Sequence, residues 1–250
     1  MSSLTPKVSV LIPTYNRADL LRLTLDSVVA QTYPNLEVIV IDDGSTDDTA
    51  QVIASFGERV HCIQQVNQGP DAAIANAFTL STGEYINFMD HDDLMMPTKI
   101  ERQVAILNKD QSVGLVHCGY EHIDENGRLL QKAFVLPETN VLSNLIGGNF
   151  IWSGAPLIRR TCLNDVGLFD ESIWCSDWDL WLRIAVAGYG FHCVQESLGA
   201  YRILSYSVMS NTRELEKGMF AALDKVFNDE RLPKELLSTK ESVYSRMHFR

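Results

Sequence analysis

Residues 36–48 read Leu-Glu-Val-Ile-Val-Ile-Asp-Asp-Gly-Ser-Thr-Asp-Asp, a mostly apolar run that ends in two acidic residues and a glycine. The run lacks the polar alternation of a half-exposed strand, so it predicts a strand buried on both faces, as in a parallel sheet. Gly44 permits a tight turn after this strand, and Ser45 and Asp48 have the spacing of a capping box at a helix start. The stretch therefore predicts a strand, a turn and a helix, with two aspartates at the carboxyl end of the strand.

The same alternation of strand and helix patterns continues on both sides of this stretch. Pro13 is expected to end the first strand, and Pro97 is expected in the first turn of a helix. Residues 125–127 (Glu-Asn-Gly) are a hairpin signal, so the strand after them should pair back antiparallel and make the sheet mixed. Predicted strands cover 8–12, 36–41, 60–64, 85–89, 113–124 and 129–135, and predicted helices cover 19–31, 71–80 and 97–108.

The second half of the chain adds helices. Apolar residues between Trp178 and Ala185 recur at helical spacing, and Gly188 is expected to end that helix. Two polar helices, separated at Pro233, are predicted near the end of the sequence. We therefore predict an α/β domain over residues 1–210 and a helical segment over residues 211–250 that packs on it or extends from it.

Composition and charge argue against several functional classes. Of the 250 residues 46% are hydrophobic, which is enough for a continuous core. The formal net charge of -11 argues against a nucleic-acid binder, which needs a basic patch. No segment approaches the roughly 18 consecutive apolar residues of a membrane helix, and the first residues lack the pattern of a signal peptide, so a cytoplasmic location is expected. Five cysteines without a C-x-x-C pair predict free thiols.

Polar clusters follow three of the predicted strands. They are residues 14–17 (Thr-Tyr-Asn-Arg), Asp42 with Asp43, and residues 90–93 (Asp-His-Asp-Asp). Ligands of open parallel sheets bind outside the carboxyl ends of the strands, so these clusters are expected to form a binding edge. Three carboxylates within four residues repel each other unless a divalent cation or solvent screens them, and oxygen-rich ligation suits Mg²⁺ or Mn²⁺. The alternative is a solvated loop in which Asp93 begins a turn.

A further acidic site lies at residues 175–183 (Cys-Ser-Asp-Trp-Asp-Leu-Trp-Leu-Arg). Ser176 and Asp179 have capping-box spacing, which gives Asp179 a structural explanation. Asp177 is not needed for that box, and a partly dry position beside tryptophans would raise its pKa, so Asp177 is a candidate general base. The alternative is an ordinary acidic residue in a first helical turn, where acids are favoured.

These residues together resemble the family-2 glycosyltransferases, which have the GT-A fold. The resemblance extends over roughly residues 7 to 205. It implies a Rossmann-like, mostly parallel but mixed sheet flanked by helices, and an enzyme that moves a sugar by a single displacement with inversion at the anomeric carbon. The segments that carry the resemblance are 8–17, 31–35, 40–47, 83–93, 167–171 and 177–183.

The resemblance also implies roles on the donor side. Pro13 and Tyr15 would border the nucleobase, and Asp43 would accept an N–H hydrogen bond of the kind that uracil offers. Asp90 would approach the ribose. Asp92 would hold Mn²⁺ or Mg²⁺ bridging the diphosphate, which fits the acidic balance, because an anionic nucleotide bound by an acidic protein needs local positive charge.

On the acceptor side, the resemblance implies that Asp177 takes the proton of the acceptor hydroxyl. Trp152 and Trp174 can each stack on a sugar or lie in the core. His91 as a lone histidine is more often a satisfied residue than a ligand. The complete set of candidates is Pro13, Thr14, Tyr15, Arg17, Asp43, Asp90, His91 and Trp152 for substrate binding, Asp92 for the metal and Asp177 for catalysis.

Four positions depart from the family pattern. Ile74 and Ala75 stand where the family commonly has Arg-Asn, Ser176 replaces the usual Glu, and Leu204 replaces a frequent His. The departures favour an alternative function, a donor-binding or partner module that has lost turnover. A sugar nucleotidyltransferase is disfavoured, because the first loop lacks the glycine-rich, basic phosphate cradle that such chemistry needs.

The expected partners follow from the implied activity. They are a nucleotide-sugar donor, with UDP as the favoured nucleotide, and a glycan or lipid-linked acceptor. Residues 231–250 are locally basic with interleaved apolar side chains, so they either touch an anionic membrane or pack on the edge of the domain with one solvated face.

Overall fold

The computed structural model describes residues 5–132, 137–204 and 212–247, and it is built on one mixed sheet flanked by helices. The strands are β1 (Val8–Thr14), β2 (Leu36–Asp42), β3 (His61–Gln64), β4 (Tyr85–Phe88), β5 (Leu94–Met95), β6 (Val113–Ile123), β7 (Leu129–Gln131), β8 (Leu157–Arg159) and β9 (Gly190–Arg202). The helices are α1 (Ala18–Val29), α2 (Thr49–Ala54), α3 (Pro70–Leu80), α4 (Lys99–Lys109), α5 (Val141–Gly147), α6 (Arg160–Val166), α7 (Ser176–Val186), α8 (Thr212–Phe227), α9 (Lys234–Leu237) and α10 (Lys240–Met247), with a 3₁₀ turn at Gly57–Arg59.

The sheet has the strand order β3-β2-β1-β4-β8-β6-β9-β5, and β7 pairs with β6. The first four strands of this order are parallel to one another. Strand β8 is antiparallel to both of its neighbours, whereas β6 and β9 are parallel. Hairpin strand β7 runs antiparallel to β6, as the Glu-Asn-Gly signal predicts. The predicted mixed α/β sheet is confirmed; residues 133–135 of the predicted hairpin strand lie outside the described residues.

The parallel half of the sheet brings the polar clusters to one edge. All seven residues of β1 are buried, in keeping with a strand covered by helices on both faces. Thr14 at the end of β1 is in register with Asp42 at the end of β2, and β4 ends at Phe88 beside Leu11. The loops that follow these three strands therefore begin next to one another.

Strand β1 continues through Pro13, and the prediction that this proline ends the strand was wrong. Pro13 is in register with Ile41 of β2, but β4 on the other side has already ended at Phe88, opposite Leu11. The missing N–H of proline therefore breaks no pair with β4, which is why a proline is tolerated there.

The capping box predicted at Ser45 and Asp48 was also wrong. Helix α2 begins only at Thr49. The Ser45 hydroxyl instead accepts a hydrogen bond from the Asn16 N–H at 2.9 Å, and the Asp47 carboxylate accepts one from the Thr49 N–H at 3.0 Å. Ser45 is therefore bonded to the loop after β1 and does not cap α2.

One further element boundary differs from the sequence prediction, and two strands are absent from it. Helix α4 begins at Lys99 with Thr98 as its N-cap, so Pro97 lies before the helix rather than in its first turn. The sequence pattern indicates neither β8 nor β9. Strand β8 has only three residues, and β9 mixes buried and exposed positions without a regular period.

The second predicted capping box, between Ser176 and Asp179, is replaced by a buried ion pair. Ser176 is the first residue of α7, whereas Asp179 is fully buried and accepts a hydrogen bond from Arg183 Nε at 2.7 Å. Lys225 of α8 lies 3.3 Å from the same carboxylate. Asp179 therefore joins α7 to the C-terminal helices, while Gly188 follows the end of α7 as predicted.

Replacing Asp179 by alanine is expected to destabilise the fold, because Arg183, with 13% of its side chain exposed, would lose its buried partner. Removing one member of a buried ion pair costs roughly 3 kcal/mol of unfolding free energy or more. Urea denaturation measures the change. Glu214→Gln is the control, since Glu214 and Lys217 form a helical ion pair at an exposed position worth less than about 1 kcal/mol. Equal losses in the two variants would contradict the role of Asp179.

The end of the chain packs on the domain. Helix α8 buries Leu223 and Phe227 against the core, and the Tyr244 hydroxyl of α10 donates to Asp224 at 2.6 Å. For residues 231–247 this packing favours the alternative in which the segment lies on the domain edge, and membrane contact stays a prediction. No helix in the described part of the chain is long and apolar enough to span a bilayer. The predicted boundary at residue 210 lies outside the described residues, so the division of the chain stays a prediction.

Candidate active site

The structure brings the loops after β1, β2 and β4 into contact. His91 Nδ1 lies 3.2 Å from the carbonyl oxygen of Pro13, and Asn16 donates its N–H to Ser45. The Thr46 N–H donates to the Asn16 side-chain oxygen at 2.7 Å. The three loops of the predicted binding edge therefore lie together as one hydrogen-bonded group, and their binding of a ligand stays a prediction.

Asp43 is buried and accepts three hydrogen bonds from a neighbouring loop. Its donors are Gln65 Nε2 at 2.7 Å, the Gln68 N–H at 2.9 Å and the Gly69 N–H at 2.8 Å. The carboxylate thus fixes the loop that leads into α3. Its predicted contact with a nucleobase stays a prediction.

The other residues of the first loop differ in exposure. Tyr15 has 47% of its surface exposed, so its ring can cover a bound ligand. Thr14 is buried, and its hydroxyl is one of the buried oxygen atoms without a hydrogen-bond partner in the described structure. Arg17 is half-buried, with Nη1 3.4 Å from the Asn16 carbonyl oxygen. Among these residues, Tyr15 is the best placed to meet a ligand from solvent.

Asp93 turns inward and has a structural role. Its carboxylate accepts hydrogen bonds from the Arg202 N–H at 2.7 Å and from Trp152 Nε1 at 2.6 Å. Burial raises the pKa of Asp93 well above its ordinary value, and the charges of Asp90 and Asp92 add to this effect. The Asp93 carboxylate therefore anchors the acidic loop. This contradicts the alternative of a solvated loop in which Asp93 begins a turn.

Arg202 supports the candidate site, and sequence reasoning did not single it out for this purpose. Its Nε donates to the Asp92 carbonyl oxygen at 2.7 Å, and its Nη1 donates to the carbonyl oxygens of Asp124 and Glu125 at 3.0 and 3.1 Å. Arg202 therefore holds the acidic loop against the hairpin between β6 and β7. Arg202 is the last residue of β9, a strand that the sequence pattern does not indicate, so no local signal marked this role.

Asp90 and Asp92, in contrast to Asp93, remain half-buried. Asp90 accepts a hydrogen bond from the Ser153 hydroxyl at 2.5 Å. Burial raises the pKa of Asp92, and the neighbouring charge of Asp90 raises it further. A cation would relieve this repulsion, so the donor set fits Mn²⁺ or Mg²⁺. Within the described residues no group of three or more His, Cys, Asp or Glu side chains is placed to hold a metal alone, so substrate oxygens would complete the shell.

The two candidate tryptophans, Trp152 and Trp174, differ in solvent exposure. Trp152 is 6% exposed, and a Cβ at Gly154 or Gly199 would overlap its ring, so the indole lies beneath the Asp93 loop. This burial favours the core role for Trp152, and its contact with a sugar stays a prediction. Trp174, in contrast, is 45% exposed.

Asp177 lies in the first turn of α7, with both carboxylate oxygens held. Oδ2 accepts from Asn149 Nδ2 at 3.0 Å, and Oδ1 accepts from the Trp178 N–H at 2.7 Å. Burial raises the pKa of Asp177 to about 6, and the charges of Asp90 and Asp71 contribute in the same direction. A carboxylate with this pKa is ionised near neutral pH and is still basic enough to accept a proton.

The departures from the family pattern have different surroundings. Ile74 and Leu204 are 6% and 8% exposed, so each adds apolar contact where a cation or imidazole is common in the family. Ser176 is half-buried and is the first residue of α7, directly before Asp177.

The chain is similar in sequence to proteins that are named as glycosyltransferases. Residues 9–167 match the family described as Glycosyl transferase family 2. An uncharacterized glycosyltransferase of Rickettsia typhi is 38% identical over 72% of this chain and 58% of its own length. TuaG of Bacillus subtilis, whose name gives it a role in teichuronic acid biosynthesis, is 28% identical over 84% of both chains. The chain spans only 31% of the Rickettsia felis relative, so it corresponds to part of such longer proteins.

Solved structures share the fold. Staphylococcus aureus TarS residues 1–349, crystallised with UDP-GlcNAc, superposes with a TM-score of 0.74 at 20% identity, over 90% of this chain and 67% of that one. The mannosyltransferase PcManGT of Pyrobaculum calidifontis, in complex with GDP-Man and Mn²⁺, gives a TM-score of 0.73 at 21% identity, over 98% and 70%. The chain therefore belongs to glycosyl transferase family 2 and has the GT-A fold of these enzymes.

Proposed function

We propose that this chain transfers a sugar from a nucleotide diphosphate donor, with UDP as the favoured nucleotide, to an acceptor hydroxyl with inversion. The observation that carries the proposal is the Asp177 carboxylate at the start of α7, which Asn149 and the Trp178 N–H hold in place. Burial, and to a smaller extent the charge of Asp90, raises its pKa to about 6, which suits a general base. A single displacement requires a base close to the donor, where it can take the proton of the acceptor hydroxyl.

The donor side is supported by the shape of the loops and by the neighbours. Tyr15 offers an exposed ring near Asp43, and the loop from Asp90 to Asp92 offers carboxylates to a ribose and a metal ion. TarS was crystallised with UDP-GlcNAc, and PcManGT was crystallised with GDP-Man and Mn²⁺. These two nucleotide sugars are therefore the first donors to test.

A divalent metal is part of the proposal. Asp92 would hold Mn²⁺ or Mg²⁺, and the ion when bound would offset the charge of the diphosphate. The ion would supply positive charge that the protein lacks. The net charge is -11, and Ile74 stands where the family commonly has an arginine that could contact the diphosphate.

The proton transfer is assigned to Asp177. As the acceptor oxygen bonds to the anomeric carbon, the bond from that carbon to the diphosphate breaks and the hydroxyl proton moves to the Asp177 carboxylate. Asn149 and the Trp178 N–H hold the carboxylate in one orientation through this step. Attack opposite to the leaving diphosphate inverts the anomeric centre.

The second candidate function is a module that binds a donor without turnover. The buried Ile74 and Leu204 favour it, because neither can take the place of the cation or histidine that the family commonly carries. This candidate keeps the donor edge and loses only the transfer step, so binding and turnover have to be measured separately.

Calorimetric titration tests the donor site directly. We expect UDP to bind in the presence of Mn²⁺ and to bind much more weakly in EDTA, with GDP as the comparison nucleotide. We also expect release of UDP from UDP-GlcNAc, alone or with simple glycosides as acceptors. Binding without release would favour the inactive module, and absence of binding to both nucleotides would contradict the proposed function.

A further inference from the structure

Three half-buried ring side chains lie in contact on one face of the sheet. Tyr120 and His122 are two residues apart on β6, so both point to the same face, and their ring centroids are 5.5 Å apart. His122 is in register with Tyr201 of β9, and the centroids of these two rings are 5.7 Å apart. Each of the three residues keeps part of its surface in solvent. Tyr120, His122 and Tyr201 thus form a row of rings, here called the aromatic row.

An amide side chain extends the aromatic row on the hairpin strand. Gln131 of β7 pairs with His122 in the antiparallel register, so the two side chains lie on the same face. Gln131 is exposed, and its amide offers both hydrogen-bond donors and an acceptor. The face therefore combines apolar ring surface with a polar group at its edge, which is the usual composition of a small-molecule site.

The loop after α5 joins the aromatic row to the carboxylate of Asp177. The Trp152 ring lies 5.6 Å from the Tyr120 ring, and its Nε1 donates to Asp93 at 2.6 Å. Three residues earlier in the same loop, Asn149 Nδ2 donates to Asp177 Oδ2 at 3.0 Å. Burial raises the pKa of Tyr120, and the charge of Asp177 raises it further, in keeping with this placement. One short segment thus holds the Asp177 carboxylate at one end and supports the row at the other.

The aromatic row and the proposed nucleotide edge belong to different parts of the sheet. Tyr15 and Asp43 follow β1 and β2, whereas the row and Gln131 belong to β6, β7 and β9. Strand β4, which the acidic loop follows, lies between these two groups of strands. A ligand on the row would therefore approach the acidic loop from the side that the nucleotide does not use.

The charges beside the aromatic row indicate which kind of ligand it suits. The acidic loop adjoins the row, since Arg202, next to Tyr201, donates its N–H to Asp93 at 2.7 Å. Asp177 lies at the other end of the Trp152 loop, and an anionic ligand between these carboxylates would be repelled. A neutral sugar avoids the repulsion. Its apolar C–H faces can stack on rings, and its hydroxyls can bond to an amide.

We propose that Tyr120, His122 and Tyr201, with Gln131 at their edge, bind a neutral sugar ring of the acceptor. This inference rests on the proposed function, in which Asp177 takes the proton of an acceptor hydroxyl. The three rings hold the acceptor by stacking and hydrogen bonding, and Trp152 supports Tyr120 from the core.

Saturation-transfer NMR tests the aromatic row without turnover. The probes are the methyl glycosides of glucose, galactose, mannose and N-acetylglucosamine in both anomeric forms, with and without UDP and Mn²⁺. We expect at least one probe to bind, and Tyr201→Leu and His122→Leu each to weaken its binding by about 3- to 10-fold, the effect of losing one stacked ring. Tyr201→Phe keeps the ring and should restore binding to within about 2-fold of the wild type. Binding of no probe, or unchanged binding in both leucine variants, would overturn the inference.

Two further variants guard against a general loss of structure. Tyr189 is half-buried and directly precedes β9, at the end of the strand opposite to Tyr201, so Tyr189→Leu is the matched control and should bind the probe as the wild type does. An equal loss in Tyr189→Leu would overturn the inference. Gln131→Ala changes an exposed residue and should weaken binding by about 3-fold through one lost hydrogen bond. If circular dichroism shows that the leucine variants are unfolded, Gln131→Ala decides alone, and unchanged binding would overturn the inference.

Kinetics separate the inference from the function on which it rests. In Tyr201→Leu the KM for the bound glycoside should rise by about 3- to 10-fold, with a much smaller change in kcat, because stacking acts on the bound acceptor before and during transfer. If the wild-type protein neither binds UDP nor releases it from UDP-GlcNAc, the proposed function fails, and NMR still decides whether the row binds a sugar. If the wild-type protein is active and both leucine variants keep their glycoside affinity and KM, the inference fails alone.

Discussion

Asp177→Asn is expected to lower kcat for UDP release by about 100- to 10,000-fold, the usual loss on removal of a general base. Asparagine has the same size and keeps an oxygen that can accept from Asn149 or the Trp178 N–H, so the helix start should persist. UDP binding measured by calorimetry should change little, because the proposed function assigns Asp177 to the acceptor. An Asp177→Asn enzyme with wild-type kcat would rule out the assigned base.

The pH profile provides a second test of the same residue. The base acts in its ionised form, and the pKa of Asp177 is raised to about 6. The rate should therefore increase as the pH rises through about 6 and reach a plateau above it, whereas the residual rate of Asp177→Asn should lack this step. A wild-type rate that stays constant from pH 5 to 8 would be inconsistent with Asp177 as the titrating base.

Asp92→Ala is expected to abolish the Mn²⁺ dependence of donor binding. UDP affinity with Mn²⁺ should fall to the value measured in EDTA, and kcat/KM should fall by about 1,000-fold or more, since a metal contributes several kcal/mol of transition-state stabilisation. The Asp92 backbone carbonyl accepts a hydrogen bond from Arg202, and the substitution leaves this contact intact, so the loop should remain in place. Calorimetry with and without EDTA measures the change.

A matched control is available at the opposite end of the sheet. Glu58 is exposed in the 3₁₀ turn that precedes β3, away from the carboxyl ends of the strands. Glu58→Ala removes the same unit of charge as Asp92→Ala, so it corrects for the change in net charge. Mn²⁺-dependent binding that survives in Asp92→Ala would mean that another carboxylate, with Asp90 the nearest candidate, holds the ion.

The sequence was most informative about the parallel half of the fold. Apolar runs without alternation predict buried strands, and β1, β2 and β4 lie within two residues of their predicted ends. It was least informative about β8 and β9, because a three-residue strand has too few side chains to show a period and β9 is irregular in its burial. Neither predicted capping box forms, because Ser45 accepts a hydrogen bond from Asn16 and Asp179 accepts one from Arg183.

The sequence by itself determined the family, the parallel strands and the presence of acidic residues at their carboxyl ends, because these features depend on residues that are close in the chain. Only the tertiary structure decided which aspartates are buried and which stay half-buried in the loops. Asp93 turns inward to accept a hydrogen bond from the Arg202 N–H, and Arg202 lies 109 residues away in the chain, where no local pattern could reveal it. The pKa of a carboxylate depends on burial and on neighbouring charge, and both are set by folding rather than by local sequence.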